Sequence, residues 1–330
     1  MEKTFGELAI GGEARLYTIS CGSVRAEITN YGAALMSLFV GGVDVVLGYA
    51  DVSGCEAQGG YLGAVVGRCA NRVGGAEFRL NGERVVLHAN EGRNCLHSGP
   101  DCWSHRLWTL AAHTEDSLTL TIHSPHGDQG FPGNAEVSVT YTIEDGGLTI
   151  EYRAVSDRDT VFNLTNHAYF NLFGHDQPRR AMDQELLIPA DFFCPDDAEN
   201  IPTGELRSVE GTPYDFREFK PIGRDIGANY EPLKLQGGYD HNFVNRGGVC
   251  AILRNPESGL TMTVTTDLPG VQVYAGNFLD NKGKGVGYGK RSGVALETQY
   301  FPDSVNHPEW VQPFVKAGEQ WRSVTRYAFV

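Results

Sequence analysis

Val137-Ser138-Val139-Thr140-Tyr141-Thr142-Ile143-Glu144-Asp145-Gly146-Gly147 decides the fold. Val137, Val139, Tyr141 and Ile143 fall on one side of an extended run and the hydroxyl residues on the other, the period-two pattern of a half-buried strand. The Glu-Asp-Gly-Gly that follows is turn chemistry between two β-like runs, so the segment reads as a hairpin. The same signals recur outward along the chain. Leu260, Met262 and Val264 share a face, Asn81-Gly82 follows Phe78-Arg79-Leu80, and Gly41-Gly42 joins Leu38-Phe39-Val40 to Val43-Asp44-Val45-Val46. Helical spacing is nowhere sustained over a dozen residues, and 41 glycines with 15 prolines interrupt the chain too often for a helix bundle. From about Gly174 to Gly238 the pattern weakens into Pro-, Asp- and Gly-rich stretches, where short strands between long loops are expected. No low-complexity linker, composition step or fixed-period repeat divides residues 1–330. The class is therefore mainly β, and one large β-sandwich domain is expected.

Composition narrows the partners. A formal net charge of -14 without any cluster of Lys and Arg excludes the counterion-releasing contacts that nucleic acid or an anionic membrane surface demands. No basic-then-apolar leader and no run of 18 apolar residues is present, so the chain reads as soluble and not secreted. Cysteines at 21, 55, 69, 95, 102, 194 and 250 form no Cys-x-x-Cys pair. An odd, scattered set argues against a disulfide framework and a structural zinc site, and reduced thiols in cytoplasm account for it. Asn163-Leu164-Thr165 matches a glycosylation sequon, read here as chance. Oligomeric state is not encoded in any pattern of the chain.

Two segments carry the chemistry. In Val294-Ala295-Leu296-Glu297-Thr298-Gln299 a carboxylate sits in an apolar, β-like run, where desolvation would make it a better proton acceptor; the plain alternative is a strand-edge Glu facing water. In Asn163-Leu164-Thr165-Asn166-His167-Ala168-Tyr169-Phe170-Asn171-Leu172 an imidazole is placed to donate a proton near neutrality, or else is a core histidine with one satisfied hydrogen bond. Asn71, Arg72, His97, Asp240 and Gln272 supply the donors and acceptors that vicinal hydroxyls require, although a salt bridge would equally occupy Arg72 and a turn Asp240. His97, His167, His241 and Asp240 lack metal-ligand spacing. The run Gly283 to Lys290 fails the phosphate-loop pattern because Arg291 stands where Ser or Thr is needed, and it reads as a flexible loop.

Taken in order, these segments resemble the aldose 1-epimerase family, also called galactose mutarotases. The likeness runs from Asn30-Tyr31-Gly32-Ala33 and Asp44 to Gly48 through Gly67 to Val73, Leu96-His97, Asn163 to Leu172, Gly211 to Arg217, Asp240 to Phe243 and Gly270 to Asn277, ending with Leu296 to Asn306. It implies an antiparallel β-sandwich with the sugar in an open cleft, interconverting α and β anomers of free aldohexoses such as glucose and galactose, with no cofactor and no metal. It implies Glu297 as general base, His167 as general acid, and His97, Asn71, Arg72, Asp240 and Gln272 as sugar-binding groups. Departures are small: Ser98 stands where Gly is frequent, and the Gly41-Gly42 turn is tight. An ordinary carboxyl near 4.3 and imidazole near 6.5 would hold the pair in usable forms from mildly acidic to neutral solution. Three rivals stay open: a glycosidase using Asp240 with Glu297, a sugar-binding protein without catalysis, and a hexose-phosphate mutarotase recruiting Arg179-Arg180 or Lys282-Lys284.

Overall fold

The computed structural model describes residues 1–57 and 59–330. Ala135–Glu144 and Gly147–Ser156 are antiparallel strands with Glu144 opposite Gly147. The two residues between them, Asp145 and Gly146, have φ of 45° and 70°. Positive φ at both loop positions is the turn whose twist matches paired strands, which is why Asp-Gly was a hairpin signal. Asn81-Gly82 (52°, 84°) and Gly41-Gly42 (57°, 89°) repeat the geometry, with Leu80 opposite Glu83 and Val40 opposite Val43. All three expected hairpins are present.

The first hairpin lies in a nine-stranded sheet that runs in space Thr109–His113, Ser117–Ser124, Ala135–Glu144, Gly147–Ser156, Trp321–Phe329, Thr261–Thr266, Gly248–Arg254, Glu185–Leu187, Lys220–Pro221. Its inner face carries Val137, Val139, Tyr141 and Ile143, with Met262 and Val264 further along, all buried; Leu260 precedes its strand and is only partly buried. A six-stranded sheet runs Tyr169–Phe170, Val294–Gln299, Gly270–Tyr274, Asp240–Val244, Phe192–Phe193, Arg207–Ser208, and a five-stranded one is built from residues 2–44. Ile19, Ala26 and Ile28 of the five-stranded sheet and Val271, Val273 and Leu296 of the six-stranded one share a single apolar cluster with the nine-stranded face. Sheets facing one another over a common core make this a β-sandwich. Between residues 174 and 238 the strands are two or three residues long amid loops, with a short helix at Glu231–Gln236, as the weakened pattern implied.

Side-chain alternation then decides the site. In the six-stranded sheet Val271, Val273 and Leu296 point into the core, so their neighbours Gln272, Tyr274 and Glu297 emerge on the opposite face, with Gln272 directly opposite Glu297 and Asp240 opposite Tyr274. His241, one residue from Asp240, is turned the other way and bonds the Tyr214 hydroxyl at 2.9 Å.

Candidate active site

Glu297 occupies a strand in which all six residues are buried, and it is itself 2% exposed, so the water-facing alternative is excluded. His167 precedes Tyr169–Phe170 and is pinned by its backbone: its N–H donates to Ala64 O at 2.9 Å and its carbonyl accepts from Gly63 at 3.0 Å. Next to it Asn166 donates to Gly63 O at 2.7 Å and to the Tyr141 hydroxyl at 3.2 Å, which ties this segment to the fold-deciding strand. The result brings His167 Nε2 to 3.6 Å from Glu297 Oε1, too long for a hydrogen bond but close enough for both to reach one small ligand.

Arg72 and His97 arrive together. Arg72–Val73 pairs with Cys95–Leu96, and the pairing continues as His97 N–H donates to Asn71 O at 2.9 Å. Arg72 is held by two parallel bonds to Glu91, Nε to Oε2 at 2.6 Å and Nη2 to Oε1 at 2.9 Å. Asn71, with φ of 58°, turns its own N–H onto His97 Nδ1 at 3.1 Å. A neutral imidazole that accepts at Nδ1 carries its hydrogen on Nε2, so His97 offers a donor.

Asn71, Arg72, His97, His167, Asp240 and Glu297 line one cavity of about 430 Å³, a size suited to a small ligand with its water. Gln272 does not line it. Its Nε2 donates to Asp240 Oδ1 at 2.7 Å, which makes it a support for Asp240. The wall also includes residues that sequence did not single out, chiefly Tyr61, Glu91, Tyr169, Tyr274 and Phe278, the last 75% exposed at the rim. Tyr169 and Tyr274 lie inside segments already noted for their neighbours His167 and Gln272, whereas Tyr61, Glu91 and Phe278 carry no local motif.

Burial shifts both members of the central pair. It raises the Glu297 carboxyl well above its ordinary range, with the Asp240 charge adding and Arg72 opposing. It lowers His167 to about 4. The desolvation expected of Glu297 is therefore present, whereas the ordinary imidazole value expected for His167 does not hold, and a proton shared by the pair rests on Glu297 before a sugar binds. His97 is held well below its usual value, by burial first and then by His167 and Arg72. Glu297 Oε2 and His167 Nδ1 are buried without a hydrogen-bond partner, groups that a polyhydroxylated ligand would satisfy.

The ligating atoms of His97, His167 and Glu297 lie within 4.8 Å of one another, a spacing a metal ion could close. The donor set argues otherwise, because the His97 nitrogen left free by Asn71 bears hydrogen rather than a lone pair. Two ligands fall short of the three a protein normally supplies. Elsewhere, Lys284 of the glycine-rich loop is not directed at the cavity; its Nζ contacts Met36 O, Ser37 Oγ, Asp44 Oδ2 and Val46 O. Arg180 is paired with Asp183 and Glu257. All seven cysteines are free thiols, and Asn163 of the sequon is buried.

A family model described as aldose 1-epimerase matches residues 15–328. The chain belongs to the aldose 1-epimerase family. It is 39% identical to the galactose mutarotase of Bos taurus over 98% of this chain and 97% of that one, and 39% identical to the aldose 1-epimerase of Haemophilus influenzae over 100% and 99%. Among solved structures it resembles the galactose 1-epimerase of Lactobacillus acidophilus, with TM-score 0.88 and 25% identity over 100% of this chain and 98% of that one. As a member of this family the protein is an isomerase acting on a sugar. Among the described residues no helix is long and apolar enough to cross a membrane.

Proposed function

We propose that this epimerase interconverts the α and β anomers of free aldohexoses such as glucose and galactose, with Glu297 and His167 as the proton-transfer pair. The observation that carries the reading is the approach of two buried, oppositely shifted groups in a cavity that also presents Asn71, Arg72, His97 and Asp240. Glu297 takes the proton of the C1 hydroxyl while His167 gives one to the ring oxygen, and the C1–O5 bond opens to the aldehyde. Rotation about C1–C2 presents the other carbonyl face, and closure returns both protons, so nothing is consumed. The pair works with one proton between its members. Placing that proton on His167 as the sugar enters brings no net charge into the cavity, which keeps the cost below that of a lone buried ion. His97 Nε2–H, Asn71, Arg72 and Asp240 grip the remaining hydroxyls, and Gln272 steadies Asp240.

Arg72 is the one Lys or Arg on the described cavity wall, against Glu91, Asp240, Asp280 and Glu297. This favours a neutral sugar over a hexose phosphate. The reading treats residues 1–330 as one working unit in the cytoplasm, since the cavity draws on segments from Gly59 to Glu297 and the thiols are unpaired.

Polarimetry of freshly dissolved α-D-glucose and α-D-galactose tests it. Wild type should hasten the approach to equilibrium, and Glu297→Gln should lose at least ~10²-fold of that acceleration, the lower end of what a positioned proton-transfer group contributes. A variant as fast as wild type would remove Glu297 from the chemistry; wild type indistinguishable from buffer on both sugars would remove the activity.

A further inference from the structure

Tyr61 is a large aromatic residue in a conformation that such residues avoid. Its φ is 55°, between Gly60 at 101° and Gly63 at 70°. A bulky side chain in the left-handed region stores strain of about 1–3 kcal/mol, which persists only where the surroundings enforce it. Here the surroundings are four other rings. Tyr61 stacks on His105 with centroids 5.8 Å apart and planes 10° apart. Its other neighbour is His167, at 5.9 Å and 26°, and behind His167 stands Tyr169 at 4.9 Å and 32°. His97 meets Tyr61 edge-on at 4.6 Å and His167 edge-on at 5.5 Å. These spacings fall within the range of favourable aromatic pairing.

The column has an outer and an inner end. His105 is exposed, whereas His167 and His97 are buried. Tyr61 also lines a second, small cavity of about 20 Å³ formed with Tyr31, Tyr49, Ser104 and His105, so its ring is a wall between that space and the main cavity.

We propose that Tyr61 is a positioning residue for the proton-transfer pair: its ring, held by a left-handed backbone, shuts water away from His167 and His97 and fixes the planes of both imidazoles toward the sugar. The proposal's kinetic part rests on the mutarotase reading; its structural part does not. The phenol oxygen has no role in it. The titratable groups facing His167 are His97, Glu297, Tyr61, Tyr169 and Tyr274, with Asp240 and Arg72 acting on Glu297, and Arg72 and His105 on His97. Burial is the leading cause of the shift at His167, His97 and Glu297 alike, so opening the wall relieves all three together.

The experiment compares wild type with Tyr61→Phe, which keeps the ring, and Tyr61→Gly, which suits the backbone and removes it; Tyr61→Asn, also tolerant of positive φ, is the second ring-less variant should the glycine chain not fold. Two readouts are taken. NMR titration of the His167 and His97 imidazoles in the sugar-free protein should show midpoints moved up toward the ordinary histidine value in the ring-less variants and unmoved in Tyr61→Phe. The pH profile of kcat/KM should be a bell, falling on the acid side near 4 as the pair takes a second proton and on the alkaline side, above the ordinary carboxyl range, as it loses its last. In the ring-less variants the bell should narrow from both sides, and kcat should drop by roughly 10-fold or more with a smaller change in KM, as expected when a proton donor is misaligned. Ring-less variants that titrate as wild type does, with its pH profile, overturn the proposal. If wild type itself does not accelerate mutarotation, the functional reading fails while the imidazole titrations still decide the role of the wall.

Discussion

At Glu297 activity and stability pull in opposite directions. A carboxyl whose pKa rises on folding holds its proton more tightly in the native state. It therefore adds stability below the ordinary carboxyl range, and that contribution is lost as pH rises through the native value. Above it, folding must bury a charge whose Oε2 has no hydrogen-bond partner. Gln is nearly isosteric and never ionises, so Glu297→Gln should melt higher than wild type at neutral pH while losing most of the acceleration. The gain should be of the order of 1 kcal/mol, about 1–2 °C for a chain of this length. It should vanish below the ordinary carboxyl range, grow with pH above it, and level off once the pH passes the raised native value. Thermal melts at several pH values check this, and a variant that melts lower than wild type at every pH would mean that the carboxylate makes a stabilising contact its neighbours do not reveal.

Among the elements, the joint between the five-stranded sheet and the His167 segment matters most. Gly63 accepts from Leu35 N–H at 2.9 Å and from Asn166 at 2.7 Å while donating to His167 O. A Cβ there would stand 2.0 Å from Leu35 O, and its φ of 70° disfavours any side chain. Gly63→Ala should thus lose at least about 3 kcal/mol, adding left-handed strain to a backbone clash, and should lower kcat because the His167 carbonyl must move with it. Denaturant unfolding and polarimetry measure the two effects; wild-type values in both would show that the joint gives way freely. This joint also marks where reading the chain reaches its limit. Hairpins at Asp145-Gly146, Asn81-Gly82 and Gly41-Gly42 were legible because a two-residue turn is decided by the two residues in it. Glu297 and His167 stood out as chemistry-bearing groups, yet only strand parity sends Glu297 and Asp240 into the cleft and His241 into the core. Tyr61 and Glu91 were invisible, since Tyr61 owes its place to His97, His105 and His167 and Glu91 to Arg72.

Across the whole molecule, charge acts on the cavity from two distances. The net charge of -14 spreads a field that water and salt screen over about 8 Å at physiological ionic strength. Glu91, Asp240 and Asp280 on the wall act within that range on anything inside, and Arg72, committed to Glu91 by two bonds, is the single cation set against them there. A neutral hexose feels neither, because its recognition rests on short hydrogen bonds. A phosphorylated hexose feels both. In the proposed function, KM for glucose or galactose should therefore stay constant from low to high ionic strength, and glucose 6-phosphate should be neither turned over nor a competitor at low salt. Raising the salt should let weak competition appear, as screening takes down the repulsion but supplies no phosphate-binding group. Turnover of the phosphate ester at low salt, at a rate comparable to that of free glucose, would reverse the assignment: it would require a cationic site at the sugar's far end strong enough to outweigh Glu91, Asp240 and Asp280, and the paired state of Arg72, Arg180 and Lys284 leaves none of those three to form it.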